Sequence, residues 1–154
     1  MKAASALAFA LAIALPATPA LAQSAKALVG SWTLVSAGES WGKNPKGRLM
    51  LDANGHYSLA ITRADLPKFT SNSRVKGTAE ENKASVLGSI VHFGRYKVEG
   101  KDLILSIEAS SFPNWIGTTQ TRTFTVNGDD LSYVNPKPSA GGAAATKVVW
   151  KRAK

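Results

Sequence analysis

Three arginines, Arg63, Arg122 and Arg152, fall where a strand pattern otherwise places apolar residues. A guanidinium is seldom buried without a partner, so each demands a chemical reason. In one reading, the side chain stacks on Trp32 or Trp150 and bonds the carbonyls around it, closing one end of the fold. Cation–π stacking of that kind is worth roughly 0.5–2 kcal/mol. In the other, its planar fork receives the carboxylate or phosphate of a bound amphiphile. Arg152 or Arg122 suits the first reading and Arg122 the second. Arg63, at a strand end, can extend into water. Gln120 shares a face with Arg122. Tyr57, Tyr96, Trp115 and Tyr133 could line a mostly apolar pocket with a few placed polar groups, or could fill the core. Trp115 sits beside Pro113 and Asn114 in a loop, where core filling explains it less easily. Trp41, in the first long loop, is a candidate lid residue or exposed anchor. The candidate ligand-binding set is Tyr57, Tyr96, Trp115, Gln120 and Arg122.

Groups for covalent or acid–base chemistry are sparse. No G-x-S-x-G turn places a nucleophile, and H-E-x-x-H, phosphate-loop and dinucleotide patterns are missing from the sequence. Glu80 and Glu81 are neighbours on a predicted helix, so they point about 100° apart and pair poorly. Glu108 lies on the polar face of its strand. His92 opens a strand on the face of Tyr96 and is the one plausible general base, with a hydrogen-bonded structural role as its alternative. The chain has no cysteine and only two histidines, His56 and His92. No metal and no cofactor are expected, and no catalytic residue is assigned.

The elements that must hold these residues alternate with period two, as strands do when one face meets water and the other a core. Thr119 to Val126 is the clearest: one face is all threonine, the other Gln120, Arg122, Phe124 and Val126. Similar segments run Ser31 to Ala37, Gly47 to Leu51, His56 to Ala64, His92 to Val98, Asp102 to Ala109, Asp130 to Val134 and Thr146 to Arg152. Asp52-Ala53-Asn54-Gly55 and Asn127-Gly128-Asp129 are hairpin signals. Between the third and fourth strands the period changes. Asp65 to Gly77 is a polar connection, and Thr78-Ala79-Glu80-Glu81 is a capping box for a short helix from Ala79 to about Gly88, with Ala84, Leu87 and Val91 at helical spacing. Its two glutamates suit the positive end of the helix dipole. Pro136 to Ala145 is a low-complexity loop. The pattern predicts an all-β fold: an antiparallel up-and-down barrel with one short inserted helix.

The ends and the charge bound the setting. Lys2, the apolar run Ala3 to Leu15, Pro16 and Pro19, and Ala20-Leu21-Ala22 read as a signal peptide with cleavage after Ala22. The run is shorter than the roughly 20 residues a membrane helix needs, so no integral span is expected after cleavage and the product is periplasmic or secreted. With no cysteine after the run, no lipid anchor is expected. Residues 23–154 form one domain of ordinary size, which must hold together without disulfides. The net charge of +9 favours anionic surfaces, but the lysines and arginines are scattered singly, so a nucleic-acid partner is not expected.

Gly30-Ser31-Trp32 resembles the G-x-W signature that opens lipocalins. The stretch from His92-Phe93-Gly94-Arg95-Tyr96 through Phe112-Pro113-Asn114-Trp115-Ile116-Gly117-Thr118 to Arg122, then Asn127 to Leu131, is similar to the bacterial lipocalin-like domain family. The likeness spans essentially the whole chain after the leader. It implies a calycin-type barrel with a central cavity, and the pairing of the G-x-W tryptophan with a late arginine. The helix and long insertion before His92 depart from an eight-stranded lipocalin, so the route of ligand entry does not carry over. The expected role is binding of a small hydrophobic or amphiphilic molecule, with an anionic head as one form of it. Two alternatives stand beside it: an isomerase or cyclase in the same cavity using His92, Tyr96 or Arg122, and an envelope factor that grips a protein partner through its loops.

Overall fold

Alternation along the chain produces eight strands that close into one sheet. The computed structural model describes residues 25–139 and 144–154. The expected leader at 1–22 and the centre of the Pro136–Ala145 loop lie outside the described residues. The strands are β1 (Gly30–Ser36), β2 (Lys46–Leu51), β3 (His56–Thr62), β4 (Ser89–Glu99), β5 (Asp102–Ser110), β6 (Thr119–Asn127), β7 (Asp130–Asn135) and β8 (Thr146–Arg152). Each pairs antiparallel with the next, and β8 returns to β1 to complete an up-and-down barrel. Closure removes the free sheet edges that otherwise invite aggregation. In β6 the threonines face water while Arg122 and Phe124 are buried, as the alternation predicts.

The barrel has two unlike ends. Tight turns join the strands at one end, and the long connections before β2, β4, β6 and β8 gather at the other. In the β2–β3 turn, Asp52 Oδ1 accepts from the backbone N–H of Asn54 and of His56, each at 2.8 Å. Gly55 supplies the left-handed φ of +84°. The tight-turn end is plugged by a helical turn at 25–28. Leu28 is fully buried there, and its carbonyl accepts from Trp32 Nε1 at 2.9 Å. Arg152 covers the same ring, its guanidinium carbon 4.2 Å from the Trp32 centroid. Its nitrogens bond the carbonyls of Val29 at 3.0 Å and Ala27 at 2.7 Å. Arg152 therefore takes the structural role, with Trp32 as its ring.

Above this floor, Leu49, Leu103, Leu105, Leu131 and Trp150 form the driest layer of the core. Each buried aliphatic side chain contributes roughly 1.5–3 kcal/mol. β4 crosses β5 with a bulge between Phe93 and Gly94. A Cβ on Gly94 would meet the Ser106 carbonyl at 2.1 Å, so only glycine allows the strands to approach this closely.

Helix α1 (Ala79–Leu87) carries the expected capping box, with Thr78 and Glu81 each bonding the other's backbone N–H. Glu81 also accepts from the backbone N–H and hydroxyl of Thr70, both at 2.8 Å, which ties the long connection to the helix. No residue of α1 is buried; it belongs to the open end rather than to the core.

The helix ends at Leu87 with Gly88 as its cap, as expected, and Val91, which shares the helical spacing, lies in β4 and faces outward. Two expectations change. Arg63 does not face inward, because β3 stops at Thr62 and Arg63 turns to pair with Asp65 at 2.7 Å. Tyr96 does face inward, but at the tight-turn end, where its hydroxyl donates to the Asp52 carbonyl at 2.6 Å.

Candidate functional site

Because β4 and β6 enter the barrel from the open end, the inward residues of their first turns lie near its mouth. His92 and Arg122 meet there in a cavity walled by Leu59, Ile61, Ile90, Leu105, Trp115 and Tyr133. Trp41 and Ser40 from the first loop and Ser139 from the last close over it. The open space at its centre is about 50 Å³, room for a few water-sized groups, since one water needs about 10–15 Å³.

The polar groups form two linked sets. Tyr57 Oη lies 2.9 Å from His92 Nδ1. The phenol has no other hydrogen-bond partner among the described residues, so we assign it as the donor, which leaves the imidazole proton on Nε2. Trp115 meets His92 edge-on, ring centroids 5.6 Å apart, and is itself braced by Phe112 at 5.5 Å. Burial, reinforced by the nearby Arg122 cation, pulls the His92 pKa down to about 4, so the ring is neutral near pH 7.

Arg122 is 6% exposed. It donates to the Thr121 carbonyl at 3.0 Å and makes a short contact with Gln120 Oε1. Among the described residues no carboxylate pairs with it, and none lines the cavity. Burial lowers its pKa from the ordinary value, while the Tyr133 and Tyr57 phenols oppose the shift. The Tyr133 hydroxyl is pushed up to about 12 by burial, so it stays a donor. Behind Tyr133 stands the buried Trp150 ring, centroids 6.3 Å apart, outside the cavity lining. The cavity floor thus offers the Arg122 and Tyr133 donors and carries one positive charge with no carboxylate among its lining residues. Such a floor suits an oxyanion.

Of the five candidates from sequence, Arg122 and Trp115 line this cavity. Tyr57 stands one layer behind, holding His92, and Gln120 stands behind Arg122, holding its guanidinium. Tyr96 is not brought to the cavity. Tyr133, named with the other aromatics as able to line a pocket or fill the core, does line it, whereas Ile90 and the loop residues Ser40 and Ser139 carry no such sign in the sequence. Strand direction was the available signal: inward residues next to the long connections must share one end.

A lipocalin-like domain profile matches residues 29–153. The chain belongs to the lipocalin-like domain family. A curated relative, the 4'-hydroxy-3'-methoxypropiophenone carrier protein ppsC of Aspergillus oryzae, is 30% identical over 105 residues, which cover 62% of this chain and 95% of that protein. Among solved structures, the barrel is similar to the wild-type fluorescent protein UnaG, with 14% identity, a TM-score of 0.40, and coverage of 83% of this chain and 98% of that one. It is also similar to the REP1-NXSQ fatty acid transporter, with 11% identity, a TM-score of 0.39, and coverage of 84% and 98%. Within this lipocalin-like domain, no helix among the described residues is long and apolar enough to cross a membrane.

Proposed function

We propose that this lipocalin-like domain carries a small amphiphile whose acidic head, a carboxylate or a similar oxyanion, docks on Arg122 in the open-end cavity. The observation that carries this reading is a buried guanidinium with no acidic partner among the described residues. An unpaired buried cation is costly to keep, and an anionic ligand supplies the missing charge with bidentate geometry. Gln120 and the Thr121 carbonyl aim the fork. Tyr133 donates beside it, and Leu59, Ile61, Ile90 and Trp115 offer the apolar wall. A carrier role is supported by the relative named as carrier of 4'-hydroxy-3'-methoxypropiophenone, a small hydroxylated aryl ketone.

The N-terminal run supports export with cleavage after Ala22, and the F-P-N-W-x-G-T segment supports a place in the bacterial branch of the family. An intact mass of the protein recovered from the periplasm or medium, starting at Gln23, is the expected mark of export; a full-length mass overturns it.

Calorimetric titration of the protein with benzoate and with benzyl alcohol tests the ligand class. Benzoate is expected to bind at least about tenfold more tightly, because only it offers a charge to the buried cation. Arg122→Met is expected to abolish that preference. Equal affinity for the two compounds overturns the acidic-head reading.

A further inference from the structure

Outside the inner cavity, the open end carries a second hollow. It lies between α1 and the β5–β6 loop, holds about 340 Å³, and is walled by Trp41, Val86, Leu87, Ile90 and Phe112. Ser40, Trp41, Ile90 and Ser139 line both spaces, so the groove continues outward from the cavity. We propose that this groove is a second subsite, which takes the apolar body of the ligand whose acidic head sits at Arg122. This inference rests on the carrier reading above and adds the ligand's length and the residues that select it.

Two independent observations point the same way. The inner space of about 50 Å³ accepts a head group but not an alkyl chain or a whole aromatic molecule; any amphiphile of ordinary size must extend past Trp41. The groove is the space it meets there. The second observation is α1 itself. Val86 is 71% exposed and Leu87 66% exposed, on a helix with no buried residue. Ordering nine residues without burying any of them forgoes the packing that normally stabilises a protein helix. The capping box and the Glu81–Thr70 bonds nonetheless hold α1 in place. A ligand chain along the groove gives Val86 and Leu87 the apolar neighbours they lack. Arg63, held at the groove by Asp65 through bonds of 2.8 and 2.7 Å, has its charge answered locally and does not compete for the head.

The test is a homologous series of straight-chain carboxylates, butanoate to dodecanoate, titrated calorimetrically into the whole protein and into the double variant Val86→Gln/Leu87→Gln. Both positions are exposed, so the fold is retained, which a thermal melt verifies. In the wild type, affinity is expected to rise roughly two- to fourfold per methylene over the middle of the series. In the double variant the rise flattens, while butanoate affinity stays within about twofold. An equal rise in both proteins, or no rise in the wild type, overturns the subsite. Butanoate binding that is lost in Arg122→Met but shows no chain-length dependence overturns the subsite alone and leaves the head site standing. A wild-type protein that binds none of the series overturns the carrier reading, and the subsite falls with it.

Discussion

The guanidinium carbon of Arg152 lies 4.2 Å above the Trp32 ring, and this contact joins the Leu28 plug in closing the end of the barrel opposite Arg122. It also pins the chain before β1 through the Ala27 and Val29 carbonyls. Arg152→Met should therefore destabilise the fold by about 1–3 kcal/mol, the sum of a lost cation–π contact and unmet carbonyls. Arg152→Lys should recover only part of this, because an ammonium lacks the planar fork. Urea unfolding of the three proteins checks both statements. Affinity for benzoate should not change in either variant.

Arg122 should behave in the opposite way. With no ligand bound, its buried charge has only neutral partners, and removing an uncompensated buried cation is neutral or stabilising. Arg122→Met should leave the unfolding free energy of the empty protein unchanged or raised by about 1–2 kcal/mol, with its ligand affinity lost. A drop of several kcal/mol would instead make Arg122 a second structural arginine.

The two arginines show what the sequence made legible. Alternation placed both on the inner face and gave every strand to within about three residues, because a one-residue slip would turn the whole apolar set to water. The T-x-x-E box gave the helix start because the cap is a local bond pattern. Alternation is silent about height along the barrel axis. Tyr96 and His92 share one face of β4, yet one lies at the tight-turn end and the other in the cavity. Height follows from strand direction together with the assignment of long and short connections, which separates Tyr96 from the site. The share of the loops is harder still: Ser40, Trp41 and Ser139 reach the mouth through irregular backbone that no periodicity encodes.

Gly94 is a point where the backbone leaves no slack. The Ser106 carbonyl stands 2.1 Å, and the Glu108 nitrogen 2.8 Å, from where a Cβ would be placed, and both are backbone atoms that cannot rotate away. Gly94→Ala should force the β4–β5 bulge apart, at a cost of about 3 kcal/mol or more. Gly128, whose Cβ would meet nothing within 4 Å, is the matched control. There alanine should be penalised by about 1 kcal/mol for its left-handed φ alone. Thermal melts of the two variants separate a steric cause from a conformational one.

The bond between Tyr57 and His92 gives the barrel a titration that can be followed. Burial first, then the Arg122 cation, lowers the His92 pKa to about 4 in the folded state, against 6.5 when exposed. Between those values the unfolded chain takes up a proton that the native barrel refuses, so stability must fall as pH drops from about 6.5 to about 4. Above 6.5 both states hold a neutral ring and the contribution is complete; below 4 both are protonated and the loss levels off. The full effect is on the order of 3 kcal/mol. Hydrogen bonds hold the carboxylates of Asp52, Asp65 and Glu81 below their ordinary values of 3.8 to 4.5, so they add most of their loss below this window. Urea unfolding at pH 7, 5.5 and 4.5 should show the decline in the wild type. In His92→Gln, which keeps a polar partner for Tyr57 but cannot titrate, the decline should be reduced by at least half. An equal slope in both proteins would place the acid sensitivity elsewhere and leave His92 as an uncharged brace for Trp115.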